Sequence, residues 1–229
     1  MIFPIGDDNI VGGYKPFVSY TLLVLNLIAF IYTISLGTQN GEIFLNQYGS
    51  IPFEISQGDD LYTLLSSMFL HGGWMHLLGN MLFLWIFADN IEAVIGSSMF
   101  LLFYLCGGLF ASFAHILTDF QSVIPMVGAS GAISAVMGTY LVMFPKSRIK
   151  IIILIFFSTF YLPAILFLGI WFAQQLFSGI GNFGALTGQE GGGVAWWAHI
   201  GGFIYGILIG YFFKQRYGHK YSYGIVDQA

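Results

Sequence analysis

Charge is scarce in this chain. Lys, Arg, Asp and Glu together make up 8% of its 229 residues, against about 25% in ordinary soluble domains. So few charges cannot keep the surface of a soluble domain of this size wetted. With 57% hydrophobic residues, the composition is that of an integral membrane protein. Cysteine is nearly absent: the lone Cys106 excludes an internal disulfide and a thiolate metal cluster. A basic N-terminal region is also missing. Residues 1–13 carry Asp7 and Asp8 and show no small-residue cleavage site before the first apolar run. No signal peptide is therefore expected, and the first span is expected to be retained. Without an internal repeat or low-complexity tract, one domain is expected over 1–229. It would comprise an N-terminal tail 1–16, a core 17–213 and a C-terminal tail 214–229.

What the chain does have is long apolar runs. A helix needs about 20 apolar residues to cross a bilayer. Six windows meet or approach that, at about 17–36, 74–94, 98–117, 130–144, 149–171 and 197–213. They predict an all-α bundle of six transmembrane helices. The fourth window is short, and at about 1.5 Å per residue it cannot reach from surface to surface. Its N-terminus, where Ser130 lies, is expected below the membrane surface, under a loop or cavity that protects the exposed backbone.

The basic residues set the orientation. Lys15, Lys146, Arg148, Lys150, Lys214, Arg216 and Lys220 all fall in the tails or the loop between spans four and five. Glu42, Glu54, Asp59, Asp60, Asp119 and Glu190 fall in the alternate loops. This partition predicts cytoplasmic N- and C-termini, with the Ser130 end facing outward; the membrane is expected to be the inner membrane of a prokaryote. The first outer loop, 37–70, is long enough to carry structure of its own. Its Ile51-Pro52-Phe53-Glu54 and apolar 61–70 suggest a partly embedded excursion. The stretch 188–193, rich in glycine, is placed where a lid over the site could move. The aromatic run Phe156, Phe157, Phe160, Phe167, Trp171 and Phe172 reads mainly as lipid-facing surface.

Polar groups at membrane depth are rare and mark function. Ser130, Ser134 and Gly138 lie i, i+4, i+8 on one face of the fourth window. His199, Gly202, Gly206 and Gly210 share a face in the sixth. Small residues at that spacing let membrane helices approach closely, which would bring Ser130 and His199 together. A serine hydroxyl needs a base to take its proton, and imidazole suits that task. No carboxylate lies in the fourth, fifth or sixth window. The pair would therefore be a dyad, its imidazole oriented by packing or a neutral hydrogen bond. His76 and Asn80, four apart at the start of the second window, are candidate oxyanion donors together with the Ser130 N–H. A metal site from His71, His76 and His115 is disfavoured, since His71 and His76 are five apart and off-face with no acidic partner.

Gly128-Ala129-Ser130-Gly131, His76 with Asn80, Ala198-His199 with Gly202, and the extended first loop together resemble the rhomboid intramembrane serine proteases. The similarity runs in order from about Lys15 to Phe213 and fits the basic six-helix form. It implies Ser130 as nucleophile, His199 as general base and acid, and Asn80 and His76 lining the oxyanion hole. Gly128, with Gly131 and Gly202, would shape the site, His71 would tie down the first loop, and Glu92 matches a family glutamate. No cofactor, metal or nucleic-acid partner is implied. The substrates would be single-pass transmembrane proteins in the lipid bilayer, cut near the outer end of the span, with a small residue preferred before the scissile bond.

Two positions depart from the family. Tyr62 and Thr63 replace a Trp-Arg pair whose arginine fixes the first loop, and Ser134 replaces a tyrosine stacked on the histidine. Trp196, Trp197 and Phe203 are the candidates to orient His199 instead. Two other classes compete with the protease. A catalytically silent, rhomboid-like membrane-protein-binding factor would have lost Ser130, His199 or Asn80, and none is lost. A small transporter would show repeat symmetry and paired midplane charges, and neither is visible.

Overall fold

In hydrocarbon the backbone must satisfy its own hydrogen bonds, so the apolar windows close into helices. In this computed structural model, residues 2–8, 13–182 and 194–218 are described. Among these described residues, five helices are long and apolar enough to cross a membrane. They are α1 (Phe17–Ser35), α5 (Trp74–Ile95), α6 (Ser97–Ile116), α8 (Ala164–Asn182) and α9 (Trp196–Tyr217). A sixth, α7 (Ser130–Met143), has only 14 residues, about 21 Å of helix. Nearly every side chain of α7 is buried, because the longer helices surround it.

The helical bundle stands as expected, but the fifth window, 149–171, is corrected: its first part forms a small sheet and only the rest is helix. Arg148–Ile153 (β2) and Ser158–Pro163 (β3) pair antiparallel, and Ile2–Gly6 (β1) adds to β2 in the order β1-β2-β3. The helix starts only at Ala164, directly after Pro163. A short apolar run rich in isoleucine fits a buried strand as well as a helix. Here Lys150 between Ile149 and Ile151 gives the alternation of a strand, and Pro163 marks the boundary. Ile149 and Ile151 are buried against the bundle, so the sheet caps one end of it.

That sheet holds the N-terminal segment beside the α7–α8 connection. Asp8 accepts hydrogen bonds from the Arg148 backbone N–H (2.9 Å) and Nε (3.0 Å). Asp7 accepts from Asn90 Nδ2 at 2.7 Å and from the Tyr140 hydroxyl. Burial pushes the Asp7 carboxyl up to about 8, and the nearby Asp89 and Asp8 add to the rise. A second clamp sits at the start of α1. Glu92, wholly buried, accepts the N–H groups of Val18 (2.8 Å) and Ser19 (2.7 Å) and the hydroxyls of Ser19 and Ser97. A carboxylate there satisfies donors left open at a helix N-terminus and complements its dipole.

At the opposite end, the segment after α1 is folded as expected of a structured excursion. It forms α2 (Gly37–Tyr48), α3 (Pro52–Gln57), α4 (Thr63–Ser66) and a 3-10 turn, Ser67–Phe69. Ser50 and Met126 exchange backbone hydrogen bonds, clasping this segment to the strand-like approach to α7. Tyr62 Oη donates to the Gln47 carbonyl (3.2 Å) and Ser66 Oγ to that of Tyr48 (2.7 Å). These bonds tie the α4 region to the end of α2.

Candidate active site

The turn before α7 is built by Gly128. Its φ of +127° is one that side chains of L-residues rarely adopt. A Cβ there would also lie 2.7 Å from His76 Nε2 and 3.5 Å from Asn80 Nδ2. The Gly128 N–H donates to the Ser67 carbonyl at 2.9 Å, tying the turn to the outer segment. Ser130 follows as the first residue of α7, where backbone N–H groups have no intrahelical acceptor.

α7 and α9 meet through the small-residue rows read from the sequence. A Cβ on Gly202 would come to 2.2 Å of the Gly131 carbonyl oxygen, and one on Gly206 to 2.0 Å of that of Ala135. A Cβ on Gly138 would likewise strike the Phe203 carbonyl oxygen at 2.2 Å. Thr139 Oγ1 donates across the interface to the Gly206 carbonyl at 2.7 Å. With the backbones this close, His199 Nε2 lies 2.8 Å from Ser130 Oγ. Ser134 turns its hydroxyl back to the Ser130 carbonyl, 2.7 Å away, the usual bond of a helical serine.

What faces the other side of the imidazole was not foreseen. His199 Nδ1 lies 2.8 Å from Oε1 of Gln175 on α8. The Trp171 ring lies at 6.0 Å and that of Trp196 edge-on at 6.2 Å. Phe203 instead stacks on Phe172. Gln175 lay beyond the expected fifth window, which ended at residue 171. Once the hairpin moves the helix to 164–182, a buried amide in an apolar span becomes the signal that would have found it. The aromatic run is also corrected in part. Phe156 and Phe157 are exposed in the β2–β3 turn, but Phe160, Phe167, Trp171 and Phe172 pack against the core.

Asn80 Nδ2 donates to His71 Nε2 at 2.9 Å. Burial, with a smaller contribution from His76, lowers His71 to about 4, so at neutral pH its Nε2 is free to accept. The rings of His71 and His76 pack edge to face at 5.0 Å, closer than an off-face spacing suggests. The reason is that His71 precedes α5 and is not bound to its periodicity. Among the described residues, no group of three or more His, Cys, Asp or Glu side chains is arranged to hold a metal ion. A cavity of about 1020 Å³ opens before the pair, with His76, Asn80, His115, Ser130, Trp171 and His199 on its walls. A small pocket of about 30 Å³ adjoins Ser130, lined in part by Ser67, Met68, Gly108, Ala111 and Ala132. The expected lid at 188–193 lies outside the described residues.

Fold and site together define a multi-pass integral membrane protein with a serine and a histidine facing each other at the head of a short central helix. Residues 58–216 match the rhomboid domain, and the chain belongs to the rhomboid family. It is 31% identical over 175 residues to Rhomboid protease GluP of Bacillus subtilis, covering 76% of this chain and 34% of that protein. It is 29% identical over 157 residues to Rhomboid protein 1, mitochondrial, of Saccharomyces cerevisiae, covering 67% of this chain and 42% of that protein. A 93-residue stretch is 31% identical to Presenilin-associated rhomboid-like protein A, mitochondrial, of Danio rerio, covering 40% and 24%. The chain thus spans well under half the length of these curated relatives.

Proposed function

We propose that the chain is an intramembrane serine endopeptidase acting on single-pass transmembrane proteins. The observation that carries this reading is the 2.8 Å contact between Ser130 Oγ and His199 Nε2 beside a cavity large enough for an extended peptide. In this mechanism His199 takes the hydroxyl proton as Ser130 attacks the scissile carbonyl. Asn80 Nδ2, His76 and the Ser130 N–H hold the oxyanion. His199 then hands the proton to the leaving amine. Water, activated by the same imidazole, releases the acyl group and restores the serine.

The substrate helix must unwind to offer its carbonyl, so helix-breaking or small residues are expected near the cut. The small pocket at Ser130 favours a small side chain before the scissile bond. The name of the Bacillus subtilis relative, a rhomboid protease, supports the reaction class. We further read the chain as a single domain in a prokaryotic inner membrane, with both termini cytoplasmic and the cavity facing outward. The charge partition and the pairing of β1 with β2 support that orientation.

The test is cleavage of a single-span reporter by purified protein in liposomes, wild type beside Ser130→Ala and His199→Ala. Cleavage by the wild type alone is expected. Equal cleavage by either variant would remove the pair from the mechanism. No cleavage, and no labelling of Ser130 by a fluorophosphonate, would favour a catalytically silent relative.

A further inference from the structure

We infer that Gln175 is a positioning residue for His199, making the Ser130–His199 pair the working end of a three-member relay whose third member is a neutral amide. This inference rests on the reading of Ser130 as nucleophile and His199 as base. Neutral imidazole carries one N–H, and it can act as the base toward Ser130 only if that proton sits on Nδ1 and the lone pair on Nε2. Without a partner for Nδ1, either tautomer satisfies the 2.8 Å contact with Ser130, one accepting from the hydroxyl and the other donating to it.

Gln175 removes that ambiguity. Its Nε2 donates one turn back to the Trp171 carbonyl at 3.4 Å, which turns Oε1 toward His199 Nδ1 at 2.8 Å. An amide oxygen only accepts, so Nδ1 must carry the proton and Nε2 is left to accept from Ser130. The bonds then run in one direction, from hydroxyl to imidazole to amide to backbone. Gln175 is only 4% exposed, and a buried amide with both ends partnered holds its orientation. Trp171 and Trp196 flank the imidazole and restrict its rotation.

The choice of an amide fits its surroundings. α7, α8 and α9 contain no Asp or Glu, and an isolated carboxylate at this depth would be strongly disfavoured by desolvation. A carbonyl dipole aimed at Nδ1 stabilises the imidazolium as it forms without burying a net charge. Among the described residues, the other titratable groups on the cavity wall are His76 of α5 and His115 of α6. Neither supplies negative charge, and among the described residues it is the Gln175 oxygen that faces His199 Nδ1.

The experiment compares the full chain in liposomes with Gln175→Met, which keeps length but loses the acceptor, and Gln175→Glu, which keeps an acceptor oxygen in the same place. The expected result is a fall in kcat of about ten- to hundredfold for the methionine variant, with KM within about twofold. The glutamate side chain, kept neutral by its burial, retains a carbonyl acceptor for Nδ1 and should recover most of the rate. Wild-type kcat in Gln175→Met, or equal losses in both variants, would overturn the inference. Nitrogen-15 NMR of histidine-labelled wild-type protein gives a readout that needs neither variant nor substrate. A protonated Nδ1 on His199 supports the relay, and a protonated Nε2 overturns it. Ser130→Ala runs alongside: if that variant still cuts, the nucleophile assignment fails, whereas the tautomer result still reports on Gln175.

Discussion

The α carbon of Gly202 sits so close to the Gly131 carbonyl that a single methyl group on it would come to 2.2 Å of the oxygen. This contact lies three residues along α9 from His199 and one along α7 from Ser130, so the spacing of the two backbones sets the spacing of the two side chains. Gly202→Ala should push α7 and α9 apart and lower kcat by about a hundredfold, the usual effect of an ångström of misplacement. Reporter cleavage in liposomes, with thermal unfolding as a control for folding, checks this.

Asn80→Ala should slow the reaction without abolishing it. Loss of one oxyanion donor among several is worth about 3 kcal/mol, or roughly a hundredfold or more in kcat. Because His71 acts on the site by holding the Asn80 amide, His71→Ala should give a smaller loss. The double variant should be no slower than Asn80→Ala alone. Single-turnover cleavage of the four forms measures the coupling.

Glu92→Ala should destabilise the fold by about 3 kcal/mol, since it leaves two N–H groups of α1 and two hydroxyls without their buried acceptor. Ser19→Ala, which removes one of those donors, should lose only about 1 kcal/mol. Reversible unfolding in mixed micelles distinguishes the two. Neither residue lies near Ser130, so the activity of folded protein at low temperature should be retained.

Docking of the N-terminal segment should weaken as pH rises. Asp7 is held at about 8 against an ordinary value of 3.8, so the folded state binds its proton more tightly than the unfolded chain does. That stabilisation is complete below about pH 4 and is lost progressively toward pH 8. Asp89, Asp8 and Tyr140 are the titratable groups facing it. Proteolytic nicking of the N-terminal segment should therefore increase between about pH 5 and 8 in the wild type, and Asp7→Asn should flatten the dependence.

The site was legible in sequence to the extent that its chemistry stood out against apolar surroundings. Ser130 and His199 are polar groups in segments made for lipid, and the glycine rows on α7 and α9 announce a close crossing through their spacing alone. Asn80 and His76 were legible for the same reason. The segment 148–163 was not. A continuous apolar run satisfies a strand or a helix equally, and a partner strand 144 to 151 positions away at β1 decided between them. That misreading also hid Gln175, which fell beyond the end of the expected helix.

The sequence by itself determined the solvent this protein lives in, where its apolar segments lie and which polar side chains stand out as candidates for chemistry. All three follow from composition and from spacing within a few helical turns. Only the tertiary structure decided what holds those side chains in place. Gln175 reaches His199 from another helix, Glu92 caps α1 from 73 positions away, and Asp7 meets Tyr140 across 133. Contacts of that kind are set by how the helices and sheet pack, and no local pattern encodes which distant partner arrives.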